Sequence, residues 1–320
     1  MTVGPRGESA LDSHDFSYSV VIPVYNSAPL VGATVRGLLA MFAEQGLRHQ
    51  VVLVNDGSRD DSWAVISEIA RADEHVLAVN LLKNYGQHHA NLAGLRETSG
   101  DYVITMDDDG QNPPDQVPLL IEAAMAGPDV VFGEFERKRA AGYRRLGSGL
   151  IGLVNRRVFD QPADLTVSNF RILHRDVVDR ICASHTAHPY LTGQALMYSG
   201  RRANVLVRHE PRAVGSSTYS LTRILRLVMT ILFSYSSFPL RFLAAVGFGV
   251  AGLSFLLGVY YLGRGVLTDT KVQGWTTTVV LLSILNGFTI GLLSMLGEYV
   301  VRTLNAVSAQ DTYQVADRVG

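Results

Sequence analysis

The sequence predicts an α/β fold in which a mostly parallel sheet covered by helices is followed by an interfacial helix and two membrane-spanning helices. Three observations carry this reading. Short β-branched runs alternate with helix-length stretches through residues 18–212. The 320-residue chain is 47% apolar and only 18% charged, against roughly 25% charged for a soluble domain. The apolar excess gathers near the C-terminal end in two runs without a charge.

Residues 1–17 lack the apolar core of a signal peptide and read as a polar tail. Strands are then expected at Ser19–Val24, Gln50–Val54, Val76–Leu81, Tyr102–Met106 and Asp129–Phe132. Helical spacing fills the intervals, as in Leu30–Glu44 and Ser62–Arg71. Strands that are apolar nearly throughout, separated by helices, describe a parallel sheet with both faces covered. In such sheets ligands sit beyond the carboxyl ends of the strands. The residues there are Tyr25-Asn26, Asn55-Asp56-Gly57-Ser58, Lys83-Asn84 and Asp107-Asp108-Asp109.

Residues 213–241 read as an amphipathic juxtamembrane region. Ile224, Leu225, Val228, Ile231 and Leu232 form a helical stripe beside Arg223 and Arg226, suited to lying along a membrane surface. A two-helix hairpin is expected over 242–302. Phe242–Leu262 and Trp275–Gly297 are charge-free runs of 21 and 23 residues, each able to cross a hydrocarbon core of ~30 Å. Arg223, Arg226, Arg241 and Arg302 outnumber the cations of the connecting loop, which places the sheet domain on the cytoplasmic side of the membrane. Residues 303–320 read as a polar tail.

Composition excludes several classes. With 28 basic and 29 acidic residues, nothing global attracts a phosphate backbone, so no nucleic-acid partner is expected. The single cysteine, Cys182, excludes an internal disulfide framework or a Cys-rich zinc site. A six-residue stretch from Gly147 matches a dinucleotide fingerprint by letter, but no strand precedes it. His88-His89 are adjacent and so face different sides of a helix, and the His185/His188 pair has no evident Cys or carboxylate partner, so neither reads as a metal site.

Asp107-Asp108-Asp109 concentrates negative charge at one strand end, and adjacent carboxylates repel unless a cation compensates them. Hard oxygen ligands there suit Mg²⁺ or Mn²⁺ shared with substrate phosphates. An EF-hand fails on register, since Gly110 as the sixth position puts Thr105 first and Gln116 last.

Four segments in order carry a resemblance: Pro23-Val24-Tyr25-Asn26, Asn55-Asp56-Gly57-Ser58-Arg59-Asp60, Lys83-Asn84-Tyr85-Gly86, and Met106-Asp107-Asp108-Asp109-Gly110-Gln111. Together they resemble the family 2 glycosyltransferases, whose GT-A fold is Rossmann-like. Ser168–Leu173, Arg212 with Gly215–Tyr219, Phe238–Arg241 and Leu296–Tyr299 resemble the polyprenyl-phosphate branch, which includes dolichol-phosphate mannose synthases and undecaprenyl-phosphate sugar transferases. Ser27 stands where this family usually carries an acidic residue.

The resemblance implies inverting transfer of one sugar from a nucleotide-diphosphate sugar to a polyprenyl phosphate at the cytoplasmic membrane face. It implies that Pro23, Tyr25, Asn26, Asp56 and Asp107 hold the nucleotide. Asp107, Asp109 and Gln111 form the catalytic group, with Asp109 and Gln111 binding the metal. Arg171 and Arg212 are implied to meet the diphosphate, and Arg144 and Ser148 the acceptor phosphate. The lipid phosphate is already largely ionised at neutral pH, so no strong general base is required. A processive synthase of the same superfamily is disfavoured, because neither Trp63 nor Trp275 follows an arginine. Two rivals stay open: a transferase acting directly on a finished lipid or protein, and a non-catalytic membrane scaffold with this fold. The G-x-x-x-G at Gly287–Gly291 suits either a homo-oligomer contact or packing within the chain.

Overall fold

The computed structural model describes residues 11–135, 151–184, 186, 188–208, 210, 228–232, 234–236, 242, 245–247, 249, 252–253, 256, 260, 267, 274–307 and 313–320. The chain divides into two compact units, Met1–Ile224 with Asp311–Gly320, and Leu225–Gln310.

The first unit is built on one sheet of eight strands. In chain order these are β1 (Ser17–Val24), β2 (Arg48–Asn55), β3 (Val76–Leu81), β4 (Tyr102–Thr105), β5 (Val130–Phe135), β6 (Arg171–His174), β7 (Arg202–Val207) and β8 (Val315–Val319). Their spatial order is β7-β5-β6-β4-β1-β2-β3-β8. The run β4-β1-β2-β3 is parallel throughout, and so is β5-β7. Strand β6 is antiparallel to both β4 and β5, and β8 is antiparallel to β3. The expected mostly parallel α/β sheet is therefore present. The three strands that the residue pattern did not announce, β6, β7 and β8, lie on its flanks or join its two parallel groups.

Helix α1 (Ala28–Gln45) carries Pro29 in its first turn and closes on Gly46 in the left-handed region, whose N–H bonds Ala43 and Phe42. Its buried Val31, Val35, Leu38 and Phe42 recur at helical spacing and meet Tyr18, Val20 and Ile22 of β1 in one core. Helix α2 (Ser62–Ala72) covers the same face through Ile66 and Ala70. Helix α3 (Gln87–Arg96) sits hard on the sheet: a Cβ at Gly94 would come within 2.4 Å of Val21 and 3.0 Å of Val54. Helices α4 (Val117–Met125), α5 (Arg175–Ala183) and α6 (Leu191–Tyr198) complete the cover.

In the second unit, helix α7 runs from Trp275 to Val307 over 33 residues and contains the whole of the expected second span. Among the described residues, no helix is long and apolar enough to cross a membrane. Most of the expected first span lies outside the described residues, as do Ile224 and Leu225 of the juxtamembrane stripe, while Val228, Ile231 and Leu232 lie within them. The 303–320 stretch, read simply as a polar tail, contains the end of α7 and the edge strand β8.

Candidate active site

The candidate residues converge at the carboxyl ends of β1, β2, β3 and β4, where four loops meet. Asp56 follows β2 and is 3% exposed. Its two carboxylate oxygens accept the N–H groups of Tyr85 at 2.7 Å and Gly86 at 2.9 Å, which ties the β2 loop to the β3 loop. Burial raises its pKa above the usual carboxylate value, and the two N–H bonds oppose that rise. Gly57 makes this tie feasible. Its φ is +62°, and a Cβ there would lie 2.5 Å from the Asn84 nitrogen.

Tyr25 and Asn26 follow β1, with Pro23 buried in the strand itself. Tyr25 is 45% exposed, while its N–H donates to Asp108 Oδ2 at 3.2 Å. Asn26 adopts φ 51°. Its N–H bonds Ser58 Oγ and its side chain accepts from Arg59 N–H. Tyr25, Asn26 and Asp56 are thus brought together with Asp107–Asp109.

The three consecutive aspartates point to different partners. Asp107 accepts from Gln87 Nε2 at 2.6 Å, a residue of the first turn of α3. Burial pushes Asp107 up to about 6, reinforced by Asp109 and Asp108 and opposed by Arg171 and Asn169. Asp108 faces back to the β1 loop. It too is raised, chiefly by burial, against hydrogen bonds from Ser27 and Tyr25. Ser27 therefore supplies a donor to the aspartate loop. Asp109 accepts the N–H of Gln111 at 3.1 Å within its own turn. Among the described residues, no group of three or more His, Cys, Asp or Glu side chains could hold a metal ion.

Arg171 follows Asn169-Phe170 at the start of β6. It is 1% exposed and among the largest fully buried side chains. Its Nε donates to Thr105 Oγ1 at 3.2 Å and its Nη1 to Thr192 Oγ1 at 3.0 Å. Burial lowers it to about 10, offset by Tyr190 and Asp107, so it remains a cation at neutral pH. It is a buried counter-charge to Asp107. His88 shares this enclosure, edge-on to Tyr190 at 5.4 Å, and burial with the Arg171 charge pushes it down to about 4.

Gln111 is held by Glu210, whose N–H donates to its carbonyl at 3.1 Å. Arg212 is two residues further along but outside the described residues, as are Arg144 and Ser148. Sequence reasoning missed Gln87, Thr105 and Thr192. The position of Gln87, directly after Lys83-Asn84-Tyr85-Gly86 at a helix start, was the available signal for the first. The threonines carried none.

Residues 19–182 match the family described as Glycosyl transferase family 2. The chain is 31% identical over 306 residues to undecaprenyl-phosphate 4-deoxy-4-formamido-L-arabinose transferases of Yersinia pestis (strain Pestoides F) and Yersinia pseudotuberculosis serotype O:3 (strain YPIII), covering 94% of this chain and 93% of each relative. The chain belongs to glycosyl transferase family 2. This glycosyltransferase also shares its fold with two kinds of solved enzyme. One is glucosyl-3-phosphoglycerate synthase from Mycobacterium tuberculosis, solved in complex with Mn²⁺, UDP and phosphoglyceric acid. That likeness has a TM-score of 0.51 and 18% identity, and covers 68% of this chain and 76% of that one. The other is mannosyl-3-phosphoglycerate synthase from Rubrobacter xylanophilus, with a TM-score of 0.50, 17% identity, and 68% and 74% covered. At that identity the likeness shows the fold alone.

Proposed function

We propose that this glycosyltransferase moves a single sugar from a nucleoside-diphosphate sugar to the phosphate of a membrane polyprenol, inverting the anomeric carbon. The observation that carries the reading is the match to undecaprenyl-phosphate sugar transferases over nearly the full length of both chains. A phosphate oxygen of the lipid forms the new bond to the anomeric carbon. The bond from that carbon to the donor's β-phosphate oxygen breaks, and its electron pair leaves with the nucleoside diphosphate.

The residues divide the work by position. Pro23, Tyr25, Asn26 and Asp56 line the nucleotide end, with the exposed Tyr25 available to stack its ring on a base. Asp109 and Gln111 offer hard oxygens that suit Mg²⁺ or Mn²⁺ held jointly with substrate phosphates. The mutual repulsion that helps lift Asp107 fits a place where a cation is wanted. Such an ion, when bound, supplies electrostatic stabilisation of the departing diphosphate. Asp107, fixed by Gln87 and backed by Arg171, orients the donor. Arg212 adds charge-assisted bonds to the diphosphate, and Arg144 with Ser148 receives the acceptor phosphate.

Two spans, Phe242–Leu262 and Trp275–Gly297, anchor the enzyme in this reading, with the sheet domain on the cytoplasmic face. Their charge-free length supports it. The test incubates the purified full chain with Mg²⁺ or Mn²⁺, polyprenyl phosphate, and labelled UDP- and GDP-sugars in parallel. A labelled glycosyl-phosphoryl-polyprenol is expected. Label appearing only in water-soluble or protein products would overturn the proposal.

A further inference from the structure

We propose that strand β8 is a positioning element for the nucleotide site, acting through β3 and α3 on Asp56 and on Gln87. The inference rests on the reading of Asp56 as part of that site. The sheet unit is interrupted by residues 225–310 and resumes at 311–320, so its edge strand is made by chain that follows the apolar helix α7.

The resumed segment grips two elements. It pairs antiparallel with β3 from Ala78↔Val319 to Leu81↔Val315, and the Leu82 N–H donates to the Gln314 carbonyl at 2.9 Å. Pairing thus extends to the last residue before Lys83-Asn84-Tyr85-Gly86. On the helix side, Arg318 holds Glu97 Oε1 from Nε at 3.0 Å and from Nη2 at 2.8 Å. Tyr313 is 7% exposed. Its hydroxyl accepts from Arg96 Nη1 at 3.1 Å, with the guanidinium over its ring at 5.3 Å.

Both gripped elements end at the site. Beyond β3, the N–H groups of Tyr85 and Gly86 are the two donors to Asp56. Within β3, Asn80, paired with Asp317, accepts from Asn55 Nδ2 at 2.7 Å, next to Asp56 itself. Helix α3 is clasped at its C-terminal end by Tyr313 and Arg318 and carries Gln87, the donor to Asp107, at its N-terminal end. A rigid helix transmits a displacement along its length. Without β8, β3 becomes an exposed edge with unpaired N–H and C=O groups, and its loop loses the pairing that fixes its entry.

Three variants of the full chain test this: termination after residue 310, Arg318→Glu, and the double swap Arg318→Glu with Glu97→Arg. In the first two, the Tyr85 and Gly86 amides are expected to exchange hydrogen faster in the ligand-free protein. The KM for the sugar nucleotide is expected to rise about fivefold or more, the size of one or two lost net hydrogen bonds, with kcat and the KM for polyprenyl phosphate within about twofold. The double swap should restore both. Wild-type exchange at Tyr85 and Gly86, or equal losses in kcat and in both KM values, overturns the proposal. If the wild-type enzyme itself uses no sugar nucleotide, the reading of the site falls instead, and the exchange data alone decide the role of β8.

Discussion

Arg171 and Thr105 are register partners across the antiparallel β4–β6 pair, joined side chain to side chain from Nε to Oγ1 at 3.2 Å. The Thr105 hydroxyl in turn donates to the Asn169 carbonyl at 2.6 Å. The bond stitches the sheet under the aspartate loop and makes Arg171 part of the floor.

Removing that floor has a defined cost. Arg171→Met leaves the Thr192 hydroxyl without its donor and deprives Asp107 of its opposing charge. A loss of about 2–4 kcal/mol in stability is expected, read by urea denaturation of the sheet unit's signal. Arg171→Lys keeps the charge but not the fork to two threonines, and should fall between wild type and Met. A Met variant as stable as wild type would show the buried charge to be dispensable.

Asp109 is the position where chemistry should fail without loss of fold. Asp109→Asn is expected to lower transfer at least about 100-fold, with unchanged membrane association and melting temperature. Full turnover by the variant would remove Asp109 from the metal assignment.

Gly57 tests the tie between the β2 and β3 loops. Gly57→Ala places a methyl 2.5 Å from the Asn84 nitrogen at a φ of +62°. The backbone strain alone amounts to about 1–3 kcal/mol, and the contact with Asn84 can be relieved only by moving the loop that holds Asp56. Weaker nucleotide binding in titration calorimetry is expected, together with a lower melting temperature.

Asp107 should cost stability in the ligand-free protein. Its folded pKa is raised from 3.8 to about 6, so the folded state holds its proton more tightly than the unfolded one. Stability from this group is fully present below pH ~4 and is lost as pH rises through ~6. Asp107→Asn removes the buried charge. Its melting temperature should exceed that of wild type at pH 7, with the gap closing at pH 4. A constant gap across that range would mean that ionisation of Asp107 is not the cause.

Much of the sheet was legible from residues alone. Strands β1 to β5 are largely buried, so Val20-Val21-Ile22 or Val51-Val52-Leu53 stand out as continuous apolar runs. The loops after them carry Asn26, Gly57 and Asp107–Asp109, whose types are unusual where apolar strands end. Strands β6 and β8 gave no such signal. Arg171–His174 is four residues long and begins and ends on basic side chains. In Val315–Val319 an aspartate and an arginine sit among small apolar residues, because an edge strand keeps one side toward water.

The βα rhythm, the two charge-free runs, and the set of acidic and polar residues at the strand ends are written in the order of the residues. Periodicity and local charge depend only on neighbours along the chain. Folding selects which groups spend their hydrogen bonds on each other. Arg171 turns inward to Thr105 and Thr192, Asp56 closes on Tyr85 and Gly86, and Arg318 reaches Glu97 from 221 residues away. Each pairing joins residues that become neighbours only when the sheet assembles, so no local pattern could have announced it.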